Sequence, residues 1–404
     1  MSWQSYQKTY LKRLHKQIKR RIILYAIIAF MISLSISLYI GMREHAANPR
    51  PNKTEQTKVK SQFTSTVQPQ IASEMPSITK IKSVPSYHLK ENNIERWIKF
   101  IMREYSVKYG AVVAIDIKTC KPIAIVNIGK GFSVFKAYPA ASLAKLITAA
   151  AAIELHHIPS YALFYYDSRN SSQSIGALTD GYDYGKKSIT FSIALAKSNN
   201  PVFGKLALYK IGAANLQSYF DRFYFNKSLG PSFIEHSTAV VGDSGDDIAL
   251  TGAGLNTGVL LSPFHAALIA QAIGSGGNMC VPYTRFDNHV QIKKRIIAAS
   301  TAKELLDMMR FTITKGTSRR AFYNRRGHYI LANISVAGKT GSIHGTGPEG
   351  DYEWFIGIAP VNNPEVAVAV LVVNGEKWTV KGSYLGAQTF FAYFFPDAVK
   401  KLLR

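Results

Sequence analysis

Tyr138-Pro-Ala-Ala-Ser-Leu-Ala-Lys145 opens an Ala- and Leu-rich run that extends to Leu155, and this stretch decides the fold because it predicts a buried helix. Pro139 favours a helix that begins near Ser142. The i to i+3 spacing then puts the side chains of Ser142 and Lys145 on one helical face. Since burial and nearby positive charge lower the pKa of a lysine, the pair indicates a serine nucleophile beside its general base.

The Ser-x-x-Lys pattern is weak on its own, because the sequence contains five such strings, which start at Ser5, Ser77, Ser133, Ser142 and Ser300. Ser5 and Ser77 lie outside the expected globular part. Ser133 is predicted to lie in a strand, where residues i and i+3 face opposite ways, and Ser300 begins an ordinary amphipathic helix. Only Ser142 combines a helix start, apolar surroundings and partner motifs further along the chain.

Two further motifs follow Ser142 in order. Ser198-Asn199-Asn200 lies 56 residues on, and Lys339-Thr340-Gly341, the only Lys-Thr-Gly of the sequence, lies 197 residues on. Singly, a Ser-x-Asn is usually a loop or a helix cap, and a second one occurs at Ser168. A lone Lys-Thr-Gly is usually a turn. The ordered set of three outweighs these structural interpretations.

The ordered set resembles the signature shared by penicillin-binding proteins and class A β-lactamases. Flanking segments are also similar to the penicillin-binding transpeptidase family, and the similarity covers roughly residues 91–400. The resemblance implies an enzyme that forms an acyl ester on a serine. The similar segments are Ile193-Ala-Leu-Ala-Lys-Ser-Asn-Asn-Pro-Val-Phe203, Leu261-Ser-Pro-Phe-His-Ala-Ala267, Thr314-Lys-Gly-Thr-Ser318, Val336-Ala-Gly-Lys-Thr-Gly-Ser342 and Trp354-Phe-Ile-Gly-Ile-Ala-Pro360.

The resemblance implies catalytic roles for five positions. Ser142 resembles the acylated nucleophile and Lys145 its general base. Ser198 would relay the proton to the departing amine, and Asn200 would bind the substrate amide. Lys339 would supply positive potential over Ser198 and toward the substrate carboxylate.

It also implies substrate-binding roles at the third motif. Thr340 would hydrogen-bond the substrate carboxylate, and the backbone N–H groups of Ser142 and Ser342 would form the oxyanion hole. Such donors are worth about 2.7–4 kcal/mol each in the transition state. Gly341 lacks a Cβ, which lets a sheet-edge backbone approach the acyl group. We expect no cofactor and no metal, since the chain has no zinc-ligand spacing.

The predicted fold class is α/β, an antiparallel sheet flanked by helices with an inserted all-α lobe, preceded by one transmembrane helix. Strand patterns occur toward both ends of the globular part, whereas helical runs dominate residues from about 140 to 310. The resemblance implies the same penicillin-binding and β-lactamase-like fold. The predicted elements are helices at 94–105 and 385–403, the latter broken near Pro396, and strands at 111–117, 122–127, 329–337, 354–359 and 366–373.

Ile22–Met42 contains 21 consecutive uncharged, mostly apolar residues, enough to cross a membrane as a helix. Seven basic residues precede it, so the positive-inside rule places the amino terminus in the cytoplasm. We predict a cytoplasmic basic segment at 1–21, a single transmembrane anchor at 22–42, a Pro-, Ser- and Thr-rich tether at 43–90, and a transpeptidase domain at 91–404 outside the cytoplasmic membrane. A cleaved signal peptide is the alternative for the apolar run.

The formal net charge is +24, and the chain beyond the apolar run is basic as well. Export argues against nucleic acid as a partner, so this charge suits anionic wall polymers or lipid headgroups. The expected partners are peptidoglycan stem peptides, penicillin and other β-lactams, the membrane, and other wall-synthesis proteins. An oxidising compartment would permit Cys120 and Cys280 to pair, although two lone cysteines are more often simply buried.

Acylation of Ser142 leaves several activities open, because the fate of the ester defines the enzyme. An amine acceptor gives cross-linking by a D,D-transpeptidase, water gives a D,D-carboxypeptidase, and fast β-lactam hydrolysis gives a β-lactamase. The flanking similarity favours the transpeptidase. No glutamate stands in the Glu-x-x-Leu-Asn context of class A β-lactamases, and 21 residues before the apolar run are too few for the output domain of a β-lactam-binding sensor.

Overall fold

The computed structural model of the chain describes residues 91–167, 174–182, 185–281, 293–324, 326–375 and 379–404. The predicted cytoplasmic segment, anchor and tether lie outside these ranges. Among the residues inside them, no helix has both the length and the apolar character needed to cross a membrane.

The described ranges contain strands and helices together with a 3₁₀ turn and a π-helical turn. The 3₁₀ turn at Ala141–Leu143 leads into the helix Ala144–His156, and the π-helical turn at Ala207–Ile211 follows the helix Asn200–Leu206. The strands are β1 Tyr109–Asp116, β2 Pro122–Ile128, β3 Tyr138–Pro139, β4 Leu163–Tyr166, β5 Lys187–Thr190, β6 Leu260–Leu261, β7 Asn278–Cys280, β8 Lys293–Arg295, β9 Ala337–Thr346, β10 Glu349–Ala359 and β11 Val366–Asn374. The helices are α1 Asn93–Glu104, α2 Ala144–His156, α3 Ile175–Thr179, α4 Phe191–Ala196, α5 Asn200–Leu206, α6 Ala213–Arg222, α7 Gly245–Ala253, α8 Pro263–Gly274, α9 Ala299–Thr314, α10 Arg319–Phe322, α11 Gly382–Phe394 and α12 Pro396–Leu402.

The central sheet has the strand order β2-β1-β11-β10-β9, and its neighbouring strands are all antiparallel. Its strands come from the two ends of the described chain, and the helical lobe is inserted between them, as the sequence predicts. β9 lies at the edge of this sheet, so one side of the Lys339-Thr340-Gly341 backbone has no strand partner within the described ranges.

Both faces of the sheet are covered, so it is the middle layer of the domain. In β11, Ala367 and Leu371 face the core shared with the helical lobe, whereas Val368 and Val370 face the core beneath α1 and α11. Because a strand buried on both faces has no polar side, β11 reads in the sequence as a continuous apolar run.

The inserted lobe is mainly helical, but it also contains the antiparallel pairs β3–β6, β4–β5 and β7–β8. The strand predicted at 329–337 is wrong. Ala332 has φ 53°, a left-handed conformation that interrupts an extended chain, and β9 begins only at Ala337. Ser133, also expected in a strand, lies in the loop between β2 and β3.

Cys120 and Cys280 form a disulfide with a Cα–Cα distance of 6.3 Å. The commoner arrangement of two separate buried thiols is therefore not the one adopted here. Cys120 lies in the β1–β2 turn and Cys280 ends β7, so the bond ties the first hairpin of the sheet to the helical lobe. The 160-residue separation gave no sign of this proximity.

Candidate active site

Ser142 lies in the 3₁₀ turn directly before α2, and its side chain is buried. Ala141 adopts φ 51°, which L-residues rarely do, so neighbouring contacts must hold this turn. The Trp354 indole N–H donates to the Pro139 carbonyl oxygen at 2.8 Å. A Cβ at Gly254 would lie 2.3 Å from the Ala141 carbonyl oxygen, so only glycine permits this approach.

Lys145 is completely buried at the centre of the site. Its Nζ lies 2.9 Å from Ser142 Oγ and 2.7 Å from Asn200 Oδ1, and it contacts the Ala253 carbonyl oxygen. Burial lowers the pKa of Lys145 well below its usual range, and the positive charge of Lys339 lowers it further. Both effects favour the neutral amine.

The partners of Lys145 dictate how a neutral amine would orient there. A neutral amine has two N–H protons and one lone pair, whereas the carbonyl oxygens of Asn200 and Ala253 can only accept. These two oxygens therefore take both protons. Ser142 remains as the partner that can donate, so the lone pair is directed at the serine hydroxyl.

Ser198 and Lys339 form a second pair beside this one. Lys339 is completely buried, and its Nζ donates to Ser198 Oγ at 2.9 Å and to the Thr340 carbonyl oxygen at 2.6 Å. Burial lowers the pKa of Lys339 to about 7. The Ser-x-Asn motif therefore contacts both lysines, since Ser198 meets Lys339 and Asn200 meets Lys145.

The local backbone explains how one tripeptide reaches two lysines. Ser198 has φ 55°, and Asn199 caps α5 by accepting the Val202 N–H at 3.0 Å. Asn200 is then the first residue of the helix, with a buried side chain. The cap interpretation of this motif holds for Asn199, while its two neighbours point into the site.

The edge strand β9 brings the third motif against the nucleophile. A Cβ at Gly341 would lie 3.1 Å from the Ala141 Cβ and 3.2 Å from the Ser142 backbone nitrogen. The predicted close approach of a glycine backbone is therefore present. Thr340 Oγ1 lies 2.5 Å from Thr317 Oγ1.

Four residues that line the cleft have no role predicted from the sequence: Thr317, Glu353, Lys381 and Ser383. The segment that carries Thr317 can pack against Ala196 because residue 316 is glycine. A Cβ at Gly316 would lie 2.2 Å from the Ala196 carbonyl oxygen. Strand pairing places Glu353 at the cleft, because it lies opposite Ser342 in the β9–β10 register. The cleft is lined by Ser142, Ser198, Asn200, Thr317, Thr340, Gly341, Ser342, Glu353, Lys381 and Ser383. In the described part of the chain, no three His, Cys, Asp or Glu side chains converge to hold a metal ion.

The site thus has the parts of a serine acyltransferase: a buried serine, a lysine with a lowered pKa, and a second serine–lysine pair at the edge of a sheet. The chain matches the penicillin binding protein transpeptidase domain over residues 110–392 and belongs to this family.

Similar curated proteins carry the name peptidoglycan D,D-transpeptidase PbpA. PbpA of Mycobacterium tuberculosis (strain CDC 1551 / Oshkosh) is 28% identical over 280 residues, which cover 63% of this chain and 54% of that protein. PbpA of Mycolicibacterium smegmatis is 26% identical over 277 residues, with the same shares covered. The chain therefore spans about half the length of the curated relatives it matches.

Solved structures share the fold. Penicillin-binding protein A from M. tuberculosis, as an imipenem acyl-enzyme complex, superposes with a TM-score of 0.59 at 22% identity, covering 75% of this chain and 78% of that one. The D,D-transpeptidase domain of a peptidoglycan glycosyltransferase from Eggerthella lenta gives 0.59 at 20% identity, covering 76% and 82%. These superpositions show that the fold is shared over about three quarters of this chain.

Proposed function

We propose that this chain is a membrane-anchored D,D-transpeptidase that cross-links peptidoglycan stem peptides through an ester on Ser142 and is inhibited by β-lactams. The observation that carries the proposal is the surroundings of Lys145 Nζ. Two carbonyl acceptors flank it, and Ser142 Oγ lies 2.9 Å away. This arrangement suits the removal of a hydroxyl proton.

In the proposed acylation step, Lys145 takes the Ser142 proton as Oγ attacks the carbonyl carbon of the penultimate D-alanine. The backbone N–H groups of Ser142 and Ser342 stabilise the oxyanion, and the close approach of Gly341 supports this assignment. Collapse of the tetrahedral intermediate breaks the peptide bond and releases the terminal D-alanine.

The departing amine must gain a proton, and we assign this transfer to Ser198. Its hydroxyl is 2.9 Å from Lys339 Nζ, and burial lowers the pKa of Lys339 to about 7, so a proton can move along this pair near neutral pH. Thr340 binds the terminal carboxylate. An incoming amine reverses these steps by using the space that the D-alanine leaves.

We propose the topology that the sequence predicts: residues 1–21 in the cytoplasm, 22–42 as the anchor, 43–90 as a tether and 91–404 outside the cytoplasm. This places the site beside its polymer substrate. The disulfide of the described domain supports export, because such bonds persist in oxidising compartments. Other wall-synthesis proteins are the partners we propose for the anchored enzyme.

Labelling with a fluorescent penicillin, followed by peptide mapping, tests the acyl-enzyme. The adduct is expected on Ser142 and should be lost in Ser142→Ala with the fold intact. Ser133→Ala and Ser300→Ala are matched controls, because each removes the serine of another Ser-x-x-Lys string, and both should still label. An adduct on either of those serines instead would contradict the proposal.

A thioester acyl donor with a D-amino acid acceptor separates the transpeptidase from the carboxypeptidase. The proposal predicts that the exchanged product outweighs the hydrolysed one as acceptor concentration rises. Hydrolysis alone, at every acceptor concentration, would make the chain a carboxypeptidase. Ser142→Ala should abolish both products.

A further inference from the structure

Three exposed cations, Lys197, Lys315 and Arg319, border the cleft next to two of its lining residues. Lys197 directly precedes Ser198 in the chain, and Lys315 and Arg319 are each two residues from Thr317. Two residues span about 7 Å at most. Ser198 and Thr317 both line the cleft. These three cations are called the cationic rim below.

Backbone contacts bring the two parts of the rim together at one end of the cleft. The Thr317 N–H donates to the carbonyl oxygen of Ala196, the residue before Lys197, at 3.1 Å. Thr317 Oγ1 also lies 2.5 Å from Thr340 Oγ1. Since Thr340 is the proposed ligand of the terminal carboxylate of the substrate, the rim stands at the carboxylate end of the cleft.

The positive charge of the rim is not neutralised by acids within the described ranges. Lys315 Nζ lies 5.2 Å from the centre of the Phe311 ring, and the Arg319 guanidinium lies 4.9 Å from that of Tyr323. Such rings hold a cation without removing its charge. In the part of the chain that the structure describes, no rim residue has an ion-pair partner. The sequence gives the reason, because residues 308–348 contain seven Lys or Arg and no Asp or Glu.

Inside the cleft, Lys381 opposes the charge of Glu353, the one acid among the described lining residues, so the rim adds positive charge that nothing there cancels. Exposed charges act through water over about 10 Å at 0.1 M salt, which is enough to reach Thr340. We propose that the cationic rim raises the local concentration of anionic acyl donors, such as stem peptides with a free terminal carboxylate, at the Thr340 end of the cleft. The inference rests on the proposed acylation of Ser142.

Salt screens such a field, so the ionic-strength dependence of benzylpenicillin acylation tests the rim. Intact-protein mass spectrometry gives the second-order acylation rate constant of the wild type and of the rim variant, Lys197→Gln/Lys315→Gln/Arg319→Gln. At low salt, we expect the rim variant to acylate about tenfold more slowly, the effect of three charges acting through water. The two rates should converge to within about twofold near 1 M salt, where the Debye length is about 3 Å.

The methyl ester of benzylpenicillin is the control for the charge of the ligand. It has no carboxylate, so its rate constant should be the same in the wild type and in the rim variant at every salt concentration.

Lys118→Gln/Lys400→Gln/Lys401→Gln is the matched control for the charge of the protein, because it removes as many exposed positive charges away from the cleft. Lys118 lies in the turn between β1 and β2, and β2 is at the opposite edge of the sheet from β9. Lys400 and Lys401 lie in α12, beyond the far end of α11, whose first turn reaches the cleft at Ser383. This variant should keep the wild-type salt dependence, and melting curves of both triple variants check the fold.

Each of four results would overturn the proposal. An equal offset between wild type and rim variant at every salt concentration would mean that the rim only supports the Thr317 segment. Equal rates at low salt would mean that the rim gathers no anion, and an equal loss in the matched control would assign the effect to total charge. These three results leave the ester on Ser142 in place. If the wild type forms no such ester, the proposed function fails and this inference falls with it.

Discussion

Lys145 Nζ lies 2.7 Å from Asn200 Oδ1, and this contact fixes one of the two protons of a neutral Lys145 amine. An aspartate at position 200 would place a carboxylate there and favour the ammonium form. The pKa of Lys145 would rise, so the acylation rate, which requires the free amine, should climb only at higher pH than in the wild type.

The pH dependence of penicillin acylation measures this shift in Asn200→Asp. At neutral pH, we expect a loss of about a hundredfold, the size of a general-base contribution. Asn199→Asp is the control, because it adds the same charge one residue away and aspartate still caps α5. Superposable pH profiles for wild type and Asn200→Asp would contradict Lys145 as the base.

Thr317 supports Thr340, the proposed carboxylate ligand, through the 2.5 Å contact of their hydroxyl oxygens. Thr317→Val keeps the shape and removes this partner, so the Thr340 hydroxyl loses its orientation. We expect penicillin acylation to slow about tenfold, the worth of one hydrogen bond to a charged ligand. Thr314→Val, at the exposed end of α9, should leave the rate unchanged. An equal rate in Thr317→Val would remove Thr317 from the substrate site.

His265 is expected to make the stability of the fold sensitive to acid. It is completely buried, and its Nε2 donates to the Phe223 carbonyl oxygen at 2.8 Å. Burial lowers the pKa of His265 from 6.5 to about 4, so the folded state resists a proton that the unfolded state accepts. The contribution of neutral His265 to the free energy of unfolding should therefore be fully present above pH 6.5. It should fall by about 3 kcal/mol as the pH drops from 6.5 to 4.

Urea unfolding of the protein at several pH values measures this slope. His265→Gln keeps an N–H donor and cannot titrate, so its stability should vary less across the same window. His236→Gln, which changes an exposed histidine, should keep the wild-type slope. Equal slopes for all three proteins would assign the acid sensitivity to other groups.

The disulfide between Cys120 and Cys280 closes a loop of 160 residues and should restrict the unfolded chain. We expect the double variant Cys120→Ala/Cys280→Ala to lose about 2–4 kcal/mol of unfolding free energy. Denaturation with and without reductant is the measurement: reductant should lower wild-type stability and leave the double variant unchanged. Insensitivity of the wild type would mean that the bond contributes little.

The sequence predicted the parts of this site that are local or follow family motifs. Helical spacing alone predicted that Lys145 lies beside Ser142. The order of the three motifs along the chain identified Ser198 and Lys339 as further residues of the site. Glu353 escaped notice because only the β9–β10 register puts it beside Ser342, and a register cannot be read from one strand.

The errors in the fold have a similar origin. The apolar residues from 329 to 337 matched a strand pattern, but the left-handed Ala332 turns the chain instead. The partner of Cys120 lay in a different layer of the domain, and nothing in the spacing of two cysteines reports on tertiary proximity.

The penicillin ester on Ser142 is expected to be long-lived. Hydrolysis needs a base that directs water at the ester from the side opposite the leaving group. Lys145 and Ser198 serve the leaving-group side in the proposed mechanism, and the one acid lining the described cleft, Glu353, is engaged by Ser342. A donor peptide vacates the leaving-group side when D-alanine diffuses away, whereas the leaving group of penicillin stays attached and blocks it. The ester should therefore persist far longer than acylation takes. Stopped-flow acylation followed by a chase with unlabelled penicillin measures its decay, and turnover of many penicillin molecules per second would make the chain a β-lactamase instead.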